Sequence, residues 1–288
     1  MTIVELQQLY ASHPNVEGAC RLLADASVRR VHCGGLCASA VSLFFSAVVQ
    51  RGGCPFVFVG GDLEEAGYLY HDLSQVLGEE QVLFFPSSFR RAIKYGQKDA
   101  ANEILRTEVL SRLRKAAPDG SGATLGRFCV VTYPDALVEK VVSRQELDEK
   151  TLKLHVGERV DMQFVVDMLR SYGFEYVDYV YEPGQYAVRG SIVDVFSFSS
   201  EYPFRIDFFG DEVESLRTFE VETQLSRERR DSVVIVPDLS RDLERGGTGG
   251  MVSFLDFLQP GTVLATRDFL WLGERVRQVC DEALSPQA

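Results

Sequence analysis

The sequence contains no apolar run long enough to cross a bilayer, which takes about 20 consecutive residues. Its opening segment, MTIVELQQLY, carries Glu5 and no basic residue, so it lacks the pattern of a secretory signal. No internal repeat is present. Hydrophobic residues make up 45% of the chain and charged residues 25%, which is typical of a globular domain. These features predict a cytoplasmic protein without a membrane partner.

Basic residues are scarce relative to acidic ones. The chain has 30 Lys and Arg against 42 Asp and Glu, a formal net charge of −12. Sequence-independent DNA binding needs a cationic surface that can contact phosphates, so the charge argues against DNA binding by the chain as a whole. A local basic patch remains compatible with this balance.

Cysteine and histidine are too few and too scattered to suggest a metal site. Cys33 and Cys37 are the closest cysteine pair, but no second pair completes a zinc set, and no histidine pair has ligand spacing. The cysteines are therefore expected to be reduced and mostly buried. No Ser/His/Asp or Cys/His arrangement indicates a catalytic site. The cysteines are Cys20, Cys33, Cys37, Cys54, Cys129 and Cys280, and the histidines are His13, His32, His71 and His155.

What the sequence does contain is an alternation of buried strands and helices. Such an alternation predicts a parallel α/β sheet with helices on both faces. Asp62 is a candidate N-cap for one of the helices. The predicted strands cover 28–33, 56–59, 81–85, 128–133, 233–236 and 262–265, and the predicted helices cover 37–50, 63–77, 98–115 and 268–284.

A different pattern occupies the middle of the chain. A helix is predicted over 158–170, with Gly173 as its stop, and antiparallel strands follow over 176–219. Phe204, Ile206 and Phe208 alternate with polar residues, as in a strand with one buried face. The predicted domains are therefore 1–145, an inserted α+β domain over 146–231, and a return to the α/β domain over 232–288.

The turn before the first long helix has the spacing of a phosphate-binding loop. Counting from Gly35, the pattern G-x-x-x-x-G-K-[ST] places Ala40 at the second glycine, Val41 at the lysine and Ser42 at the hydroxyl position. Val41 cannot neutralise phosphate charge, and Ala40 restricts a backbone that glycine would leave free. The residues therefore allow either a degenerate phosphate loop or an ordinary strand–turn–helix.

The region 89–115 is the only strongly basic part of this acidic chain. Arg90, Arg91 and Lys94 are candidate DNA contacts. The alternative is a solvated helix face, since charge runs are usually no more than that. Both possibilities stay open on the residues alone.

Two motifs in the antiparallel region carry a family resemblance. Residues 184–196 read GQYAVRGSIVDVF, and residues 205–217 read RIDFFGDEVESLR. Together they resemble domain 2 of the transcription-repair coupling factors and of the excision-repair protein UvrB. The fold implied is a degenerate P-loop NTPase-like parallel sheet domain, interrupted by an inserted antiparallel-sheet domain of the UvrB type. One departure is Ser197, where the family usually has proline.

The resemblance also implies the site and the partner. It makes the sheet a surface for the damage-recognition protein UvrA, with Arg189, Arg205 and Asp207 as contacts and Asp207 orienting Arg205. On the residues alone, Phe196 and Phe209 are candidates for apolar contact at the rim, and the alternative for both is a place in the core. Asp194 and Asp207 acquire no catalytic role, and Asp194 is expected to brace the sheet. Replacing either arginine by alanine should weaken UvrA binding and leave folding almost unchanged.

The chain is expected to be a non-catalytic N-terminal fragment of such a factor. Its phosphate loop would be vestigial, and it would bind no cofactor. In the full-length family, ATP and magnesium belong to a C-terminal motor region that acts on DNA and stalled RNA polymerase. The alternatives are a nucleotide-binding, UvrB-like helicase or excision subunit, and a DNA-binding module that uses the 90–115 surface.

Overall fold

A computed structural model describes residues 2–88, 100–115, 128–239 and 251–283. Its helices are α1 (Ile3–Ala11), α2 (Pro14–Ala24), α3 (Ala40–Gly52), α4 (Leu63–Leu77), α5 (Ala100–Lys115), α6 (Pro134–Val138), α7 (Arg144–Glu149), α8 (Met162–Ser171) and α9 (Phe269–Ala283). Short 3-10 helices cover Glu79–Gln81 and Phe254–Phe257.

The strands are β1 (Phe56–Val59), β2 (Val82–Phe84), β3 (Cys129–Thr132), β4 (Lys140–Val142), β5 (Leu152–His155), β6 (Glu175–Tyr176), β7 (Gln185–Arg189), β8 (Ile192–Val195), β9 (Phe204–Phe209), β10 (Glu212–Phe219), β11 (Ser226–Arg230), β12 (Ser232–Ile235), β13 (Met251–Ser253) and β14 (Val263–Thr266).

The chain divides into two compact units. The first comprises Met1–Ser87, Arg112–Glu139 and Ser253–Ala288, and the second comprises Ser88–Ser111 and Lys140–Val252. The structure thus has a unit with a parallel sheet and a unit with a mostly antiparallel sheet, in which only β6 and β7 pair in parallel, and this confirms the predicted fold class.

A parallel sheet with the strand order β14-β1-β3-β2 forms the core of the first unit. Phe56 in the central strand β1 pairs with Val263 on one side and Cys129 on the other. All four residues of β1 and of β3 are buried, as expected for parallel strands covered on both faces. Asp62 caps α4, because its carboxylate accepts a hydrogen bond from the Glu65 backbone N–H at 2.9 Å, as predicted.

The predicted strand over residues 28–33 is wrong. Residues 28–33 form neither a strand nor a helix, and none of them is buried. Arg29 and Arg30 are exposed in the middle of this short run, so it presents no continuous apolar surface to a sheet.

A six-stranded sheet with the order β11-β10-β9-β8-β7-β6 dominates the second unit. Helix α8 packs on one face of it, and Val165, Val166 and Leu169 share a core with Val193 and Ile206. Each such side chain, once fully buried, contributes about 1.5–3 kcal/mol. Gly173 follows the helix with φ +78°, which confirms it as the stop.

Strand β12 lies in this second unit and pairs antiparallel with β5, Ser232 opposite His155. The sequence assigned 233–236 to the returning α/β domain, whereas the first unit resumes at Ser253. Hydrogen bonding to β5 is a long-range pairing that a short apolar run does not reveal. The domain bounds drawn from the sequence stay a prediction.

Candidate protein-interaction face

Strand β9 separates the two faces of the six-stranded sheet. Phe204, Ile206 and Phe208 point into the core, while Arg205 and Asp207 lie on the opposite face. On that face Asp194 of β8 and Arg217 of β10 stand opposite Arg205 in the two neighbouring strands. We call Arg189, Asp194, Arg205, Asp207 and Arg217 the charged face.

Asp194 lies at the centre of the charged face. Its side chain is 0% exposed, and both of its carboxylate oxygens accept hydrogen bonds from Arg205, from Nε at 2.8 Å and from Nη2 at 2.9 Å. Arg189 donates to the same carboxylate through Nη2. A buried carboxylate thus binds two guanidinium groups, which is the charge-assisted pairing that burial of an ionised group requires. The expectation that Asp194 braces the sheet agrees with this geometry.

Arg205 is held by more than its ion pair. Its Nη1 donates to the Gln224 backbone carbonyl at 3.1 Å, and its guanidinium carbon lies 4.5 Å from the centroid of the Phe219 ring. Hydrogen bonding to Asp194 raises the pKa of Arg205, although burial acts in the opposite direction. Only 14% of the side chain is exposed.

Arg189 is the more accessible of the two arginines, with 37% of its side chain exposed. Its guanidinium carbon lies 5.1 Å from the centroid of the exposed Tyr179 ring, a cation–π geometry. A partner can therefore reach Arg189 directly and Arg205 only at its edge.

The expected role of Asp207 is wrong in one respect. Asp207 does not orient Arg205, because the carboxylate that binds the Arg205 guanidinium is that of Asp194. Asp207 instead accepts from Arg217 Nη2 at 3.3 Å and from Ser191 Oγ at 3.2 Å. It remains part of the charged face and is partly exposed.

The two phenylalanines that sequence could not separate have opposite environments. Phe196 is 7% exposed and belongs to a small core cluster with Val180, Ala187 and Phe219. It offers a partner almost no surface, which corrects its assignment as a contact residue. Phe209 is 77% exposed at the end of β9. It is the aromatic residue of this strand that a partner can contact.

The candidate phosphate loop precedes α3, and Gly35 adopts a left-handed φ of +81°. Helix α3 begins at Ala40, one residue before Val41. Ser42 is buried, and its Oγ donates to Asp72 Oδ2 of α4 at 3.2 Å. The hydroxyl expected at a phosphate site therefore bonds to a carboxylate. Because residues 28–33 form no strand, the strand–turn–helix context predicted here is absent.

The candidate DNA contacts Arg90, Arg91 and Lys94 lie outside the described residues. Within α5 the buried face includes a basic residue. Arg106 is 4% exposed, and Val109, Leu110 and Leu113 are buried, whereas Arg112 and Arg114 are partly exposed. Arg106 therefore does not belong to a solvated face, and both alternatives stay predictions for the rest of the region.

The part of the chain that the structure describes contains no group of three or more His, Cys, Asp or Glu side chains placed to hold a metal ion. None of the helices described there is long and apolar enough to cross a membrane. All six cysteines are free thiols.

Comparison with known proteins finds a match that covers the six-stranded sheet. Residues 152–240 match the family model described as the UvrB interaction domain, a span that runs from β5 through β12. This part of the chain is therefore similar to the UvrB interaction domain.

Comparison of whole sequences identifies the particular relatives. The chain is 28% identical over 204 residues to the transcription-repair-coupling factor of Escherichia coli (strain K12), and this match covers 71% of the chain and 17% of that protein. It is 31% identical over 208 residues to the factor of Mycobacterium bovis, covering 72% of the chain and 16% of the relative. The UvrABC system protein B of Thermosipho africanus is 22% identical over 220 residues, which is 70% of the chain and 31% of that protein.

These matches confirm the resemblance identified from the sequence motifs. The chain is related to the transcription-repair-coupling factors and spans about a sixth of the length of those relatives, judged by the matched 17% of the Escherichia coli protein.

Proposed function

We propose that this chain is a non-catalytic interaction module that binds UvrA through the charged face and Phe209. The observation that carries the proposal is the position of the charged face within the UvrB interaction domain match over 152–240. Arginine suits such a role because its planar fork makes directional bonds to carboxylates and carbonyls, and because it is enriched at binding hot spots.

The remaining parts of the proposal concern the longer protein. In a full-length coupling factor, this module would recruit UvrA to lesions where RNA polymerase has stalled. The translocase activity, with its ATP, magnesium and DNA, would belong to the motor region. The module would act in the cytoplasm.

The absence of catalysis in this chain is also part of the proposal. Val41 occupies the position of the lysine that would bind the β- and γ-phosphates, and Ser42 is turned to Asp72. Both features disfavour the alternative of a nucleotide-binding, UvrB-like subunit. Burial of Arg106 in α5 and the net charge of −12 disfavour the alternative of a DNA-binding module.

Binding to purified UvrA by biolayer interferometry tests the proposal. We expect saturable binding by the wild-type chain. Arg189→Ala should lose about 1–3 kcal/mol of binding free energy, as expected for a truncated hot spot. Arg230→Ala is the matched control, because this exposed arginine of β11 pairs with Glu228 and lies outside the charged face. Failure of the wild-type chain to bind UvrA, or equal losses in both variants, would reject the assigned face.

A further inference from the structure

We propose that Asp194 is a positioning residue for partner binding: its buried carboxylate holds Arg189 and Arg205 as one preorganised pair that receives acidic groups of the partner. This inference rests on the proposed function, with UvrA as the partner. It adds a residue that makes no contact with the partner itself, because Asp194 is 0% exposed.

The contacts of Asp194 support this role. One carboxylate joins β7 and β9 by binding Arg189 and Arg205, so the two guanidinium groups are fixed relative to each other. A free arginine side chain has many rotamers, and ordering it on binding costs conformational entropy. Since Asp194 orders both side chains before the partner arrives, that entropy is lost during folding instead of during binding.

Arg189 is restrained from a second side. The Tyr179 ring lies 5.1 Å from its guanidinium carbon, whereas Asp194 holds Nη2. The exposed part of Arg189 is thereby left for the partner in a single orientation. A lysine at this position would keep the charge but would lack the planar guanidinium that lies near the Tyr179 ring and bonds to Asp194.

The charge of the face indicates the chemistry of the partner segment. The charged face has three arginines and two aspartates, which leaves one net positive charge in a chain whose formal net charge is −12. Such a local excess attracts a surface rich in carboxylates and backbone carbonyls. We therefore expect the partner to present acidic residues to Arg189 and Arg205.

Asp194→Asn separates positioning from simple attraction, because the two predict opposite signs. Removing a negative charge makes the face more cationic, so attraction alone predicts tighter binding to an acidic partner. Positioning predicts weaker binding, by roughly tenfold or more in Kd, since both arginines lose their shared anchor. Glu214→Gln is the control for charge: it makes the same charge change at an exposed residue of β10.

The experiment is titration of UvrA with the wild-type chain and the variants, with circular dichroism to establish that each is folded. Combining Asp194→Asn with Arg189→Ala gives a double-mutant cycle. If Asp194 acts through Arg189, the fold increase in Kd of the double variant is clearly smaller than the product of the fold increases of the two single variants. Multiplicative losses would show a merely structural role and overturn the inference.

Arg189→Lys keeps the proposal testable if Asp194→Asn does not fold, because Asp194 retains both hydrogen bonds from Arg205 in that variant. We expect a loss of roughly tenfold in affinity, and wild-type affinity would overturn the inference. Wild-type chain that fails to bind UvrA contradicts the proposed function. Wild-type binding together with a folded Asp194→Asn variant that binds equally well or more tightly contradicts the positioning role alone.

Discussion

Arg205 and Asp194 form a bidentate ion pair across β8 and β9, with Nε and Nη2 of the arginine 2.8 and 2.9 Å from the two carboxylate oxygens. Because the carboxylate is fully buried, this pair differs from an ordinary exposed ion pair, which contributes little. Arg205 therefore has a structural role in addition to its proposed place in the partner-binding face.

The first prediction separates the two arginines by their effect on folding. Arg205→Ala removes both hydrogen bonds of the bidentate pair and should lower the free energy of unfolding by about 3 kcal/mol, the cost of breaking a buried ion pair. Arg189→Ala should cost less than about 1 kcal/mol, since Asp194 keeps Arg205 as its partner. Urea unfolding measures both, and equal effects would contradict this assignment. For Arg205 this replaces the sequence-based expectation that folding is almost unchanged.

The second prediction concerns the exposed Phe209. Phe209→Ala should weaken UvrA binding by about 1–3 kcal/mol and change the free energy of unfolding by less than about 0.5 kcal/mol. Phe196→Ala is the matched comparison and should destabilise folding by about 3–5 kcal/mol, because it empties part of a small core. Binding assays paired with urea unfolding distinguish them, and a stable Phe196→Ala variant would contradict the core assignment.

The third prediction is a pH dependence of stability that arises at Cys129. Burial raises the pKa of its thiol to about 12, from an ordinary value of 9.0. Above pH 9 the unfolded chain loses this proton while the folded chain keeps it, so the unfolded state binds fewer protons. Stability should therefore fall with rising pH between about 9 and 12, by about 1.4 kcal/mol per pH unit from this group.

Urea unfolding at several alkaline pH values measures this slope. Cys129→Ala is the control, because it lacks the thiol and should show a correspondingly shallower loss of stability. Identical slopes in the two proteins would show that the Cys129 thiol does not titrate as its burial requires.

The fourth prediction concerns nucleotide. Since Val41 replaces the phosphate-binding lysine and Ser42 bonds to Asp72, ATP with magnesium should leave the Tm unchanged. A ligand present at a hundred times its Kd would add about 2.7 kcal/mol of stability, which a thermal shift assay detects. A stabilisation by ATP that disappears in Ser42→Ala would overturn the proposed loss of nucleotide binding.

Much of the fold follows from local pattern. The alternation over 204–208 predicted which side of β9 faces the core, and the buried runs predicted β1, β2, β3 and β14. Asp62 and Gly173 were recognisable because capping and positive φ are properties of single residues and their immediate neighbours. In each case the determining interactions lie within a few residues along the chain.

The outcomes that sequence reasoning missed depend on contacts between distant segments. Strand β12 pairs with β5, and α5 buries Arg106 together with its apolar residues. No local pattern encodes these results, because each depends on which distant segment of the chain packs against the element.

Two motifs with a specific residue order were enough to reveal the family resemblance, and the residue types alone show which positions of the sheet can carry charge. Which of these charges meet depends on the folded sheet. Cross-strand register places Asp194 opposite Arg205, and the buried Asp194 carboxylate binds Arg205 through both of its oxygens. Asp207 lies two residues along the strand from Arg205 but bonds to Arg217. Neighbours across a sheet are set by strand pairing, which separation along the chain does not reveal.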